Sequence, residues 1–209
     1  ASHNESDHTE PDVAALADGG FLLMWRSDVL DDPATGADEA AAFQADVFAR
    51  RYAGSGRPVG DEFLVNDNWR YNSQNQPAAT GLAQGGFVIA WGSLWSDKED
   101  VFYRYYDDQG NAGTVHRANK YTANHQQWPR LAQHPDGPLA ISWASFGQDG
   151  DNYGTFFQQF TTADTTYCGM GCALCGNGIK EGQEACDDGN DLSWDGCDDC
   201  EITGMRVNE

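Results

Sequence analysis

The residues of this sequence that are best suited to chemistry are six cysteines, all of which lie within the last 42 residues. They are Cys168, Cys172, Cys175, Cys186, Cys197 and Cys200. Thiols form disulfides in an oxidising compartment, or they bind metal ions as thiolates. The segment around them carries few apolar side chains, so we expect cross-links to hold it in place of a hydrophobic core.

Two chemistries compete for these thiols. The C-x2-C pairs at 172–175 and 197–200 have the outline of a zinc ribbon, whose four thiolates suit tetrahedral zinc. Cys168 and Cys186 do not fit that scheme, whereas three disulfides account for all six cysteines. We therefore predict disulfides and a secreted, periplasmic or cell-surface location. The sequence does not decide among the possible pairings.

Oxygen ligands cluster in the same segment and favour calcium. The candidates are Asp187, Asp188, Asn190, Asp191 and Asp195. Calcium binds roughly six to eight such oxygens, but the spacing here does not fit an EF-hand. The alternative is that these side chains cap tight turns in which Gly189 and Gly196 supply positive φ angles. With disulfides favoured over zinc for the cysteines, calcium is the cofactor that we consider for this segment.

Two weaker metal candidates lie elsewhere in the chain. Asp149 and Asp151, in the loop GQDGDNYG (147–154), offer oxygens to a cation, with an Asp/Gly hairpin turn as the alternative. His3 would complete a square-planar copper or nickel site if Ala1 carried a free amino group. A solvated histidine is the alternative at that position.

The charge of the chain argues against two classes of partner. With 33 acidic and 12 basic residues the net charge is -21, which repels nucleic acid. No apolar run approaches the ~20 residues of a membrane span. The motifs G-x-S-x-G, H-E-x-x-H and the phosphate-binding loop are absent from the sequence, and paired carboxylates are expected by chance in so acidic a chain. We therefore predict that the chain is not an enzyme.

The cysteine-free region repeats itself three times, and the repeat defines the elements that position any site. In each copy a proline lies 14 residues before a tryptophan: Pro11 and Trp25, Pro77 and Trp91, Pro129 and Trp143. A turn follows seven residues after each proline, and serine follows two residues after each tryptophan. We expect the tryptophans to be core residues, with ligand stacking as the alternative.

Each repeat predicts four short strands. The second strand is an apolar run, FLLMW, FVIAW or LAISW, of a length that suits a strand buried on both faces. The third and fourth strands are predicted at 47–52, 101–106, 155–160, 62–66 and 114–119. In the third strand Phe48, Arg50 and Tyr52 share one face, because side chains alternate with a period of two.

The length of the repeat predicts its architecture. Pro77 to Pro129 spans 52 residues, and four strands in ~50 residues is the period of a propeller blade. The first copy is longer because of an insertion at 29–45, which we expect to be a loop. We predict an all-β protein with three four-stranded propeller-like blades, the last one incomplete, at 1–165. A small disulfide-rich module is predicted at 166–209.

Two resemblances carry these predictions further. The pattern C-G-N-G…C-D-D-G-N…D-G-C at 175–197 resembles a cysteine-rich disulfide repeat of exported myxobacterial proteins, although the last two cysteines are one residue closer together. PDVAALADGGFLLMWRS (11–27), GDEFLVN (60–66) and 143–160 resemble a bacterial β-propeller-like repeat. That family implies a large exported or cell-surface protein and carries no fixed catalytic residues.

The sequence thus favours an exported, non-catalytic structural or binding protein. Its β-repeats would serve cell-surface assembly, adhesion or docking on a larger complex, with calcium as a stabilising ion. Unpaired edge strands favour self-association as an oligomer or filament subunit, or protein partners. The alternative is a carbohydrate-active propeller protein, either a glycan-binding lectin or a sialidase- or glycosidase-like hydrolase.

Overall fold

The structure is a computed structural model in which two units can be separated by their internal contacts, Ala1–Thr165 and Thr166–Glu209. The described residues are 7–28, 45–67, 73–95, 98–133, 138–160, 197–198 and 201–202. In the second unit they comprise one short antiparallel pair of strands, at Cys197–Asp198 and Glu201–Ile202. The predicted boundary at 165 between a blade domain and a cysteine module stays a prediction.

Three antiparallel sheets follow one another in the first unit, each with its strands in chain order. The first sheet contains β1 (His8–Ala15), β2 (Phe21–Asp28), β3 (Ala45–Tyr52) and β4 (Pro58–Leu64). The second contains β5 (Gln74–Gly81), β6 (Phe87–Trp95), β7 (Lys98–Tyr106) and β8 (Ala112–Arg117). The third contains β9 (Gln126–Gln133), β10 (Leu139–Phe146) and β11 (Tyr153–Phe160).

The all-β prediction is confirmed, because every regular element in the described ranges is a strand. The strands described in this unit do not close into a barrel, and the third sheet has three of them. Within the described part of the chain, no helix has the length and apolar character needed to cross a membrane.

The middle sheet is packed on both faces, which explains its sequence. All five side chains of the run Phe87 to Trp91 are buried, as predicted for a strand covered on both sides. In the first sheet the equivalent run alternates between buried and half-buried residues, since the described strands place a second sheet against only one of its faces. Trp91 and Trp143 are buried in the two cores that separate the sheets, and Trp25 is half-buried.

The paired glycines of the repeat form a turn in which the first needs an unusual backbone angle and the second leaves no space for a Cβ atom. Gly19 has a φ of 82°, a backbone conformation that L-residues rarely adopt. Gly20 follows in an ordinary conformation, but a Cβ atom there would lie 2.4 Å from the carbonyl oxygen of Tyr52, at the end of β3. The same close approach recurs at Gly86, where a Cβ would lie 2.3 Å from the carbonyl oxygen of Tyr106.

The repeated prolines mark a β-bulge in the first strand of each sheet. The residue before each proline has a left-handed backbone, with φ of 50° at Glu10, 53° at Gln76 and 57° at Trp128. Proline has no N–H to donate and disfavours the right-handed helical region for the residue before it. The strand pairing therefore shifts between Thr9 and Asp12, and it shifts at the equivalent points of the other two sheets.

An asparagine closes each four-stranded sheet from the end of its fourth strand. Asn66 Oδ1 accepts a 2.9 Å hydrogen bond from the Val47 amide, and Asn66 Nδ2 donates to Asp46 at 2.7 Å. Asn119 makes the corresponding pair of bonds to β7 in the second sheet. These side chains join the end of the fourth strand to the third strand, which accounts for the recurrence of asparagine in EFLVN and VHRAN.

Replacing Gly20 by alanine is expected to lower the free energy of unfolding by roughly 2 kcal/mol or more, because the new methyl group would clash with backbone. Gly19→Ala is the matched control, since its Cβ would meet nothing within 4 Å. For Gly19→Ala we expect a loss of about 1 kcal/mol in the free energy of unfolding, from backbone strain alone. Urea unfolding followed by tryptophan fluorescence measures both, and equal losses would contradict the steric argument.

Candidate functional site

Most site residues predicted from the sequence lie outside the described residues. These are the candidate calcium ligands Asp187, Asp188, Asn190, Asp191 and Asp195, the candidate copper ligand His3, and the cysteines other than Cys197. For Cys197 the structure describes only its place in the short strand Cys197–Asp198. Disulfides and bound metal therefore stay predictions.

The loop at 147–154 is described, and its acids make turn contacts. Asp149 Oδ1 accepts a hydrogen bond from the Asp151 amide at 3.3 Å, and Asp151 Oδ1 accepts one from the Asn152 amide at 2.8 Å. Such side-chain-to-backbone bonds are what Asp and Asn contribute to tight turns. In the described ranges no group of three or more histidine, cysteine or acidic residues has the geometry to hold a metal ion.

A different group of residues comes together where the first strands of the sheets begin. The strands β1 and β5 are in contact, and so are β5 and β9, although each belongs to a different sheet. The bulge residues Glu10, Gln76 and Trp128 therefore lie side by side. The Gln76 amide donates to the Glu10 carboxylate, and the Trp128 amide donates to Gln76 Oε1 at 2.7 Å. The bulges of the second and third sheets thus each present an amide to a side chain of the preceding sheet.

Trp128 ends this series of hydrogen bonds and begins an aromatic cluster. Its side chain has no carboxamide or carboxylate oxygen, and the residue is 49% exposed. The indole lies 5.4 Å from the ring of Tyr153, and Tyr153 lies 5.1 Å from Phe146. Tyr153 and Phe146 are 46% and 37% exposed, so the three rings form an apolar surface open to solvent. We call these three residues the aromatic face.

A buried carboxyl group lies beneath the aromatic face. Glu99, near the start of β7, is 3% exposed, and its Oε2 accepts a hydrogen bond from Gln127 Nε2. Gln127 Oε1 in turn accepts a 3.0 Å hydrogen bond from the Tyr153 hydroxyl. One continuous chain of hydrogen bonds therefore joins the second sheet to an exposed tyrosine of the third.

The space for this carboxyl group depends on a glycine. A Cβ at Gly92 would lie 2.5 Å from Glu99 Oε1 and 2.6 Å from Asn75 Oδ1. Both of these oxygens are buried without a hydrogen-bond partner. Two unpartnered acceptors are costly in a protein interior, and such groups concentrate at functional sites.

Burial raises the pKa of Glu99 above its ordinary value, because removal from water disfavours the charged form. The hydrogen bond from Gln127 and the charge of His125 act in the opposite direction. The carboxylate of Glu10 adds to the rise by repulsion. Glu99 and Glu10 are thus close enough for their charges to interact.

By residue type, the site joins an aromatic surface to hydrogen-bonding groups. Exposed aromatic rings offer an apolar body, and tyrosine adds a polar tip. Glu10 is exposed on β1, next to the Gln76 amide, and offers a carboxylate to a ligand. A ligand that has both apolar faces and hydroxyl groups suits such a surface.

Sequence reasoning missed this site. Glu99, Gln127 and Tyr153 are separated along the chain and carry no motif, since only the packing of the second sheet on the third brings them together. One signal was present: the residue before the repeated proline is acidic or an amide in the first two copies and tryptophan in the third. A tryptophan at a position that elsewhere accepts hydrogen bonds indicates a change of role.

No family model matches the sequence, and no curated protein sequence matches it. Solved structures do match it. An alpha-L-arabinofuranosidase from Fusarium graminearum, solved with an iminosugar inhibitor, has a TM-score of 0.51 at 14% identity over 79% of this chain and 45% of its own. A protein of unknown function from Dyadobacter fermentans has a TM-score of 0.53 at 10% identity, over 76% of this chain and 52% of its own.

An endo-arabinase from Bacteroides thetaiotaomicron also matches, with a TM-score of 0.46 at 13% identity over 76% of this chain and 58% of its own. The chain therefore spans about half the length of the solved structures to which it is similar. At identities this low, the similarity to the arabinofuranosidase is one of fold.

This similarity contradicts the prediction that the chain is not an enzyme. Its sheets share the fold of an arabinofuranosidase, so the fold is one in which an enzyme is built. The prediction was wrong because it relied on missing motifs. Glycoside hydrolysis generally needs two carboxyl groups that are placed by the fold, and no sequence spacing marks them.

The raised pKa of Glu99 makes the stability of the protein depend on pH. A carboxyl group whose pKa is higher in the folded state binds its proton more tightly there, so its stabilising contribution is present below pH 4.5 and is lost as the pH rises. We expect Glu99→Gln to gain stability relative to the original protein as the pH rises from 4 to 7.

Urea unfolding across this pH range measures the difference, and Asp61→Asn serves as a control for the loss of one charge from an exposed position in β4. If the difference in the free energy of unfolding between Glu99→Gln and the original protein stays constant from pH 4 to 7, burial does not shift the pKa of this carboxyl group.

Proposed function

We propose that the chain forms part of a carbohydrate-active protein of the glycoside-hydrolase type, which binds glycans at the aromatic face. The observation that carries the proposal is the exposed contact between the Trp128 and Tyr153 rings, which are tilted by 48°, at the place where the first strands of the sheets meet. The alternative that the sequence raised, a carbohydrate-active propeller protein, has better support than a non-catalytic scaffold.

The aromatic face fits a sugar ring for physical reasons. A pyranose or furanose ring has C–H groups on its faces and hydroxyl groups at its edge, so it buries one face on an indole while its edge stays hydrogen-bonded. The left-handed backbone at Trp128 holds the indole near the start of β9. Such a conformation is costly for a bulky residue, and conformations of this kind concentrate at binding sites.

The two carboxyl groups would have different tasks. Glu10 is exposed, and its carboxylate is held by the Gln76 amide, so it can contact a bound sugar directly. Glu99 is 3% exposed and cannot contact the sugar in this arrangement. We assign Glu10 as one of the two catalytic carboxyl groups that glycoside hydrolysis generally needs, with the other supplied by a residue other than Glu99, and we assign Glu99 to the support of the aromatic face.

We further propose that the three sheets are consecutive blades of a propeller and that the protein is exported. The contacts between β1, β5 and β9 support the first point, because the innermost strands of successive blades lie next to one another around the central channel of a propeller. Since three blades do not close a ring, more blades would come from further chain or from a partner, at the exposed faces of the first and third sheets. Export rests on the resemblance of the cysteine segment to exported repeats.

Trp128→Ala is expected to weaken glycan binding at least tenfold, because a buried aromatic contact at the centre of a site contributes about 1–2 kcal/mol or more. The probes are arabino-oligosaccharides, with xylo- and cello-oligosaccharides for comparison, measured by isothermal titration calorimetry. Phe157→Ala is the matched control, since Phe157 is 67% exposed in the same strand as Tyr153.

That control should bind as the original protein does. Absence of binding to every oligosaccharide, or equal losses in the two variants, would remove the basis for the proposal.

Glu10→Gln tests the enzymatic part separately. We expect turnover of an aryl arabinoside to fall by a factor of 100 or more, roughly the contribution of one general acid–base group, while binding changes less than threefold. Glutamine keeps an oxygen that can accept the hydrogen bond from the Gln76 amide, so the fold is retained. Turnover that survives this change would exclude Glu10 as the catalytic carboxylate.

A further inference from the structure

A chain of hydrogen bonds reaches from the core to the aromatic face. The Tyr153 hydroxyl of β11 contacts Gln127 Oε1 of β9, and Gln127 Nε2 contacts the Glu99 carboxylate of β7. The chain therefore crosses from the third sheet to the second. Gln127 is half-buried and joins Glu99 to Tyr153 through these two hydrogen bonds.

We propose that Glu99 and Gln127 are positioning residues that fix the direction of the Tyr153 hydroxyl and so select ligands that donate a hydrogen bond to it. The ligand class, a glycan with a free hydroxyl group over Tyr153, rests on the proposed function. The positioning itself is a property of the protein without ligand.

The direction of the chain follows from the chemistry of its members. An ionised carboxylate only accepts hydrogen bonds, so the amide nitrogen of Gln127 must point at Glu99. The carbonyl oxygen of Gln127 then faces Tyr153, and the tyrosine hydroxyl must donate its proton to it. The lone pairs of the Tyr153 oxygen are left to accept a hydrogen bond from a ligand.

The buried end of the chain keeps this direction from reversing. While Glu99 is ionised, its bond from Gln127 is charge-assisted and therefore stronger than one between neutral groups. A flip of the Gln127 amide would place its oxygen against the carboxylate, which is repulsive in a site with little water. The surrounding charged groups are His125, which stabilises the carboxylate, and Glu10, which opposes it.

The direction of the Tyr153 O–H bond determines which ligands the site can accept. A sugar hydroxyl above Tyr153 is accepted as a donor, whereas an O-methyl group at that place has no proton to give. A site that leaves a polar group unpaired with the wrong ligand discriminates more strongly than an apolar pocket does. Partly O-methylated oligosaccharides should therefore bind more weakly than the free ones.

Gln127→Glu tests the positioning with almost no change in shape. At pH 7 it places a second carboxylate against Glu99, so we expect the Tyr153 ring to move and glycan affinity to fall about tenfold. Near pH 4 one proton shared between the two carboxyl groups restores the hydrogen bond, and affinity should return to within about twofold of the original protein at that pH.

The matched control is Gln133→Glu in the same strand. Gln133 Oε1 accepts a hydrogen bond from the Ala83 amide at 2.9 Å, and a glutamate there keeps that bond. It adds the same charge without facing Glu99, so its affinity should equal that of the original protein at both pH values.

A second readout needs no sugar. The fluorescence of Trp128, isolated by subtracting the spectrum of Trp128→Phe, reports its contact with Tyr153. We expect a pH-dependent change in Gln127→Glu and none in Gln133→Glu. Should Gln127→Glu fail to fold, Gln127→Ala and Tyr153→Phe replace it, and the double variant should lose no more affinity than Tyr153→Phe alone.

The outcomes separate the two proposals. A fluorescence change with pH and no glycan binding by the original protein would support the positioning and overturn the proposed function. Glycan binding with Gln127→Glu indistinguishable from the original protein at both pH values, in affinity and fluorescence, would overturn the positioning and leave the proposed function standing.

Discussion

The left-handed bulge before each repeated proline is the constraint on which both the fold and the site depend. A proline in the first strand of a sheet has no N–H to donate to the neighbouring strand, and the residue before it has a left-handed backbone that points its amide out of the sheet's hydrogen-bond pattern. The amide of that residue then reaches a side chain in the preceding sheet, as in the bonds from Gln76 to Glu10 and from Trp128 to Gln76. The same distortion joins the sheets and places Trp128 at the surface.

The second constraint is the burial of a carboxyl group between two sheets. Glu99 occupies space that exists because residue 92 is glycine, and its neighbour Asn75 also has a buried oxygen without a partner. An apolar residue would stabilise this position more simply. Instead this position is occupied by Glu99, which accepts a hydrogen bond from Gln127, and Gln127 accepts one from Tyr153. The buried acid therefore lowers stability but fixes the position of a residue of the aromatic face.

The repeat in the sequence predicted most of the fold because each of its residues answers a local requirement. The second glycine of each pair lies where a Cβ has no room, the prolines mark bulges, and the apolar runs form the central strands. The site could not be predicted in this way. Glu99 and Gln127 are brought together by packing between sheets, and an isolated glutamate in KEDVFYRYY gives no sign that it will be buried.

The cysteines drew attention because they are conspicuous in the sequence, yet the geometry that supports a function lies in the cysteine-free sheets. A crystal structure of the protein with an arabino-oligosaccharide is the most direct test. We predict a sugar ring stacked on Trp128, with one of its hydroxyl groups within hydrogen-bond distance of the Tyr153 oxygen. A saccharide bound elsewhere, with Trp128 and Tyr153 left bare, would contradict the account.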